Sequence, residues 1–179
     1  MNEVSAIKDK RKINRMKASL HGRNRLLFIL GINTGLRVSD LLALKVGDVR
    51  GQKAVTITEV KTSKSRRFVL NSAAVSAIND LVPVKANDTD PLFPSRKGTA
   101  SISRVQAYRV LNEAAARAGV NGKIGTHSLR KTWAYHAHNG GVDITLIMKA
   151  LNHSSPRVSL RYIGIEQEDI DNVYIKNNL

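Results

Sequence analysis

The sequence predicts an α+β domain, mostly α-helical with one small antiparallel β-sheet. Apolar residues recur at helical spacing along most of the 179 residues, and a single stretch switches to β-prone alternation. There is no repeat and no low-complexity linker, so one domain with a sizeable core accounts for the chain.

The elements follow in order. Residues 1–25 carry eight basic side chains, with Ile7, Ile13, Met16 and Leu20 at roughly helical intervals. This reads as an amphipathic basic helix, or as an arm that folds on a polyanion. Asn24 to Ile32 reads as a buried helix, closed by the turn signal Asn33-Thr34-Gly35. A short helix with Leu41, Leu42 and Leu44 facing the core follows. Ala54 to Thr58 and Arg67 to Leu70 are β-prone and flank the polar run Lys61 to Ser65, which predicts a hairpin with a basic tip. Val75, Ile78 and Leu81 mark a helix broken at Pro83, and residues 84–100, with Pro91, Pro94 and Gly98, read as a loop. The alanine-rich segment Ile102 to Ala118 predicts a helix ended by Gly119. Others are expected over Ser128 to His138, before Gly140-Gly141, and through Ile144, Ile147, Met148 and Leu151. Glu166 to Tyr174 reads as a last amphipathic helix.

Charge narrows the function. The 29 Lys and Arg against 14 Asp and Glu leave +15 at neutral pH. Such a surface attracts nucleic acid, because each phosphate contact releases condensed counterions. The chain has no cysteine, which removes disulfides and thiolate chemistry. Its longest apolar stretch, Leu26 to Ile32, is far short of a membrane span, and the first residues lack a signal-peptide core. A cytoplasmic, nucleoid-associated location is the default expectation.

Three segments carry candidate chemistry. In Gly125 to Arg130, Thr126 is placed to cap a helix that sets His127 and Arg130 three apart on one face. An imidazole beside a guanidinium suits a phosphate, although two solvated polar residues give the same pattern. In Thr34 to Leu42, Arg37 follows a glycine turn, and Asp40 is spaced to orient it. That pair reads either as a surface ion pair or, given its apolar neighbours, as a partly buried, aimed arginine. Finally, Leu151-Asn152-His153-Ser154-Ser155 joins two helices, with Tyr162 nine residues beyond His153. A tyrosine nucleophile needs cations around the phosphodiester it attacks.

The ordered set Arg37, Lys61, His127-x-x-Arg130, His153 and Tyr162 resembles the catalytic domain of the tyrosine recombinase (phage integrase) family. T-G-L-R-x-S-[ED]-L-L-x-L is matched from Thr34 to Leu44, H-x-L-R from His127 to Arg130, and L-[GN]-H-[SK]-S from Leu151 to Ser155. The resemblance runs from about Asn24 to Tyr174. Asn152 stands where glycine is common, and asparagine tolerates the same left-handed backbone.

The resemblance implies the tyrosine-recombinase catalytic-domain fold and a metal-free phosphoryl transfer with no cofactor. Tyr162 would attack the scissile phosphate and form a 3′-phosphotyrosine link, while Arg37 and Arg130 clamp the non-bridging oxygens. His127 would assist proton transfer, His153 would donate a hydrogen bond, and Lys61 would protonate the leaving 5′-oxygen, with Lys64 as the alternative acid. Asp40 would buttress Arg37. Lys64, Arg66 and Lys131 are expected at the DNA. No metal site is expected, since His136 and His138 sit two apart and face different sides of a helix. Trp133, Tyr135 and Tyr108 read as packing residues, and the setting of Tyr174 is wrong for a nucleophile.

The expected partners are double-stranded DNA, other copies of the chain in a tetramer on paired sites, and accessory DNA-bending proteins, with no membrane. Residues 1–22 are expected to form a basic N-terminal helix or arm and residues 23–179 the catalytic domain. The DNA-gripping N-terminal domain that family members commonly carry is expected to be absent, as in a separated fragment or a minimal recombinase. The competing readings are a type IB topoisomerase-like cutter and a catalytically silent basic DNA-binding regulator.

Overall fold

The computed structural model describes residues 4–164 and 167–177. Ten helices and one hairpin are seen among them, in the order α1 (Lys10–Ser19), α2 (Gly22–Thr34), α3 (Val38–Ala43), α4 (Val46–Val49), β1 (Ala54–Thr58), β2 (Ser65–Val69), α5 (Ser72–Leu81), α6 (Arg104–Arg117), α7 (Thr126–Asn139), α8 (Ile144–Ala150), α9 (Pro156–Ile163) and α10 (Gln167–Lys176). The architecture is the mostly helical one expected, with a two-stranded antiparallel sheet.

Helix α2 is the central post. Its middle, Leu26 to Gly31, is apolar and buried on every side, as the core of a central helix must be. Leu26, Leu27, Ile29 and Leu30 join a cluster with α3, α4, the hairpin, α5 and Phe93. Phe28 points the other way, into a cluster with Ile13 and Met16 of α1, Leu111 and Ala114 of α6, and Leu129 of α7. Lys10–Ser19 therefore form a helix packed on the body of the domain. The segment before α1 is pinned as well, since the Ile7 N–H donates to Thr132 Oγ1 (2.8 Å) and the Ser5 N–H to the Lys123 carbonyl (2.9 Å). A third cluster, Ala134, Ile147, Leu151 and Ile163, ties α8 and α9 to α7.

Several boundaries differ from the sequence expectation. Strand β2 begins at Ser65 because Thr58 pairs with Ser65 and Ile57 with Arg66, so pairing across the hairpin overrides the weak β-propensity of these residues. One turn of helix, α4, precedes the hairpin and is closed by Asp48, whose carboxylate accepts the Lys45 N–H (2.7 Å). Helix α7 begins at Thr126, and the hydroxyl that accepts the Gly125 N–H belongs to Ser128 (3.0 Å), not to Thr126. Tyr108 stays 41% exposed on α6, with only one edge of its ring near Gly125. Of the expected tail helix, Glu166 lies outside the described residues, and Val173, Tyr174 and Ile175 are exposed on α10.

Candidate active site

Arg130 is the buried centre of the site. It is 2% exposed, and α7 aims its guanidinium at two backbone carbonyls. Nη1 donates to Gly35 O (2.8 Å), and Nη2 donates to Leu151 O. The first carbonyl belongs to the turn that ends α2, where Gly35 adopts φ +60°, and the second ends α8. A Cβ at residue 35 would stand 2.9 Å from the Trp133 ring, so the turn needs glycine for both conformation and space. Burial, more than any charge, brings the Arg130 pKa down to about 10, which still leaves it cationic at neutral pH.

Arg37, two residues beyond Gly35, is mostly buried and paired. Its Nη1 lies 4.0 Å from Asp40 Oδ2, the partner expected from sequence, but only 2.7 Å from Glu59 Oε2. Asp40 does more than face Arg37, since its Oδ1 accepts the Val60 N–H (2.9 Å) and so holds the hairpin turn. Glu59 was not anticipated. Its side chain is fully buried, sits 3.5 Å from Arg66 Nη1, and accepts the Thr62 hydroxyl (2.6 Å). Burial alone would raise its pKa. Thr62, Arg37 and the Asn152 side chain outweigh that and hold the carboxyl at about 2.

Arg66, expected at the DNA, is buried instead. Its guanidinium donates to Thr34 O (3.1 Å) and reaches Gly35 O (3.5 Å). The reason is register: Arg66 shares the inward face of β2 with Phe68, and β1 presents Val55 there. Lys131, also expected at the DNA, is buried too, with its ammonium 5.5 Å from the centre of the Tyr162 ring. Lys64 is exposed where β2 begins, and Lys61 is exposed in the turn before it. The backbone closes that turn through Glu59 N to Lys64 O and Ser63 N to Glu59 O, each 2.9 Å.

Helix α9 brings Tyr162 to the cluster. Its hydroxyl is buried and meets no hydrogen-bond partner of good geometry among the described residues. Burial raises its pKa, and the charges of Arg130 and Arg37 oppose that rise. The His153 ring stands beside it and shares an Nδ1 to Oγ contact of 2.9 Å with Ser159. Burial, then Arg130, Arg37 and Arg66, push the His153 pKa down to about 4. His127 is more exposed. Its pKa is lowered by partial desolvation, then by Arg130, Lys61, Arg37 and Lys131, so both imidazoles are neutral at neutral pH. Asn152 adopts φ +50°, the left-handed conformation read from the sequence.

All six residues expected to carry chemistry thus lie in one region, drawn from the α2–α3 turn, the hairpin, α7, the α8–α9 junction and α9. Sequence reasoning missed Glu59, Ser159 and the carbonyls of Gly35 and Leu151. Only Glu59 had a signal, because it continues the inward alternation of Val55 and Ile57. Among the described residues no group of three or more His, Asp or Glu is arranged to hold a metal ion, and no helix is long and apolar enough to cross a membrane.

Comparison with known proteins agrees with this fold. The Phage integrase family pattern matches residues 2–168. The probable integrase/recombinase YoeC of Bacillus subtilis (strain 168) is 40% identical over 171 residues, which cover 94% of this chain and 93% of that protein. The crystal structure of XerA recombinase superposes with a TM-score of 0.79 at 23% identity, over 99% of this chain and 67% of that one. The XerH site-specific recombinase, in a pre-cleavage complex with its difH substrate, gives 0.69 at 23% identity, and the match takes in 96% of this chain but only 54% of XerH. The chain belongs to the phage integrase family, and its fold is that of a tyrosine recombinase catalytic domain.

Proposed function

We propose that this domain performs site-specific DNA recombination, cutting and rejoining double-stranded DNA through a 3′-phosphotyrosine at Tyr162. One observation supports this above the others: a buried tyrosine hydroxyl stands beside the charges of Arg130 and Arg37 and the His153 ring, and among the described residues it meets no hydrogen-bond partner of good geometry. A buried polar group left unpaired costs free energy unless a ligand completes it.

In this reading Tyr162 Oη attacks the scissile phosphorus, and the bond to the 5′-oxygen breaks. Neutral His127 takes the phenolic proton, and Lys61 delivers a proton to the departing oxygen. Lys61 is favoured over Lys64 because its charge is among those that lower the His127 pKa, and that of Lys64 is not. Arg37 and Arg130 meet the charge that builds on the non-bridging oxygens. His153 donates from Nε2 when Ser159 donates its hydroxyl to Nδ1, the arrangement a neutral ring requires. These groups supply the neutralisation that a metal ion supplies in other phosphoryl-transfer enzymes. Lys64 meets the DNA backbone, while Arg66 and Lys131 act from inside the protein. The assembly proposed is a tetramer on paired sites, with DNA-bending proteins as accessories and the nucleoid as its location. Residues 1–22 are the basic lead-in to a catalytic domain spanning 23–179.

The test is a nicked suicide substrate run on a denaturing gel. Wild type should form a slow-migrating protein–DNA adduct that Tyr162→Phe does not form. An adduct persisting in Tyr162→Phe overturns the assignment of the nucleophile. Exchange of strands between two sites separates recombination from topoisomerase-like cutting.

A further inference from the structure

We infer that Glu59 is a positioning residue that locks the Lys61 turn and the Arg37 guanidinium to one another, so that the general acid and the phosphate clamp move as one unit. The inference rests on the recombinase reading above and concerns a residue outside the sequence motifs.

The carboxylate touches both halves. Its Oε2 is 2.7 Å from Arg37 Nη1 and accepts the Thr62 hydroxyl at 2.6 Å, and Thr62 follows Lys61 directly. Its backbone closes the same turn, since its N–H donates to Lys64 O and its carbonyl accepts from Ser63 N. Oε1 faces Arg66 at 3.5 Å, and Arg66 in turn holds the carbonyls of Thr34 and Gly35, the residues that lead into Arg37. Asn152, next to His153, favours the charged carboxylate. Glu59 is therefore a meeting point of three segments, and it acts on the turn beside the Asp40–Val60 hydrogen bond that also joins α3 to the hairpin. A turn carrying an exposed lysine loses conformational freedom when its neighbours are fixed, and catalysis gains from that loss.

Charge gives the inference a sign. Removing a carboxylate beside Arg37 and Arg66 raises the positive potential at the phosphate. If Glu59 merely dampened that potential, Glu59→Gln would cleave faster. A positioning residue predicts the opposite: covalent cleavage of a nicked substrate slows about 10- to 100-fold under single-turnover conditions, while the Kd for the same DNA changes less than threefold.

Because Glu59→Gln strands two buried arginines and puts folding itself at risk, Thr62→Ala serves as the second variant. Thr62 is an exposed turn residue, so its loss spares the core while freeing the carboxylate. It should slow cleavage several-fold, and Thr62→Ser should restore it. Hydrogen exchange across residues 59–64 reads the same point without turnover, and both Glu59→Gln and Thr62→Ala should speed it. A wild type that forms no Tyr162 adduct sinks the recombinase reading, and the exchange arm still decides the positioning. Unchanged exchange, or cleavage by Thr62→Ala and Glu59→Gln at the wild-type rate, sinks this inference alone.

Discussion

The His153 ring stands edge-on to the Tyr162 ring, with centroids 5.0 Å apart and planes 74° from parallel. The imidazole is therefore both a wall of the pocket around the tyrosine and a hydrogen-bonding group, and it does both in the neutral form. Its pKa of about 4, against an ordinary 6.5, makes protonation costly in the folded state. The unfolded chain takes up that proton as pH falls through 6.5, and the folded chain only near 4. Stability from this group is thus complete above about pH 6.5 and is lost as pH falls toward 4. At a half-buried, solvent-screened site the loss is of order 1 kcal/mol. Urea unfolding at pH 7 and pH 4.5 should show it, and His153→Gln should reduce the difference.

Arg130→Lys should be as damaging as a non-conservative change. A guanidinium bridges the Gly35 and Leu151 carbonyls from two nitrogens, and a single ammonium cannot reproduce that fork. Cleavage is expected to fall about 10²- to 10³-fold. The leftover unpaired carbonyl should cost ~1–3 kcal/mol of folding stability. A variant with full stability and near-normal cleavage would contradict the geometry.

The two hairpin lysines should separate by leaving group. Lys61→Ala should lose about 10²- to 10⁴-fold in cleavage of ordinary DNA, the range for general acid catalysis. A substrate whose bridging 5′-oxygen is replaced by sulfur departs without a proton, and it should restore much of the rate. Lys64→Ala should lower affinity and its salt dependence instead, with little change in the chemical step. Reversed behaviour of the two variants would exchange their roles.

Met16→Ala tests whether α1 belongs to the folded body. Met16 is fully buried against α6 and α2, and truncation of such a side chain costs ~2–5 kcal/mol. A midpoint of denaturant unfolding unchanged by this substitution would mean that α1 is only loosely attached.

The helices were legible because their apolar stripes and their glycine stops recur at the right period. The hairpin was legible from two β-prone runs around a basic tip. What escaped was the inside of the site. Arg66 looks like surface charge until one notices that it keeps step with Phe68 and Leu70, and Glu59 keeps step with Val55 and Ile57 in the same way. Period-2 alternation placed both inward. A charged residue on that face is hard to believe before its opposite partner is known, since burying either alone is prohibitive. Arg37 and Asp40 were read as a pair, and they stand 4.0 Å apart, but the closer carboxylate comes from the hairpin, nineteen residues beyond Asp40 in the chain. Backbone carbonyls such as those of Gly35 and Leu151 carry no residue-type signature, so their grip on Arg130 could not be read from sequence.

Tyr162, the proposed nucleophile, rides on α9, after the other proposed catalytic residues in chain order. Synthesis runs from the N-terminus, and early segments begin to fold first. The ribosome therefore releases Arg37, Lys61, His127, Arg130 and His153 before it releases Tyr162. If Tyr162 is the nucleophile, a chain stalled before α9 lacks the group that would break a strand, and the order of residues along the polypeptide would then act as a safety catch during biosynthesis.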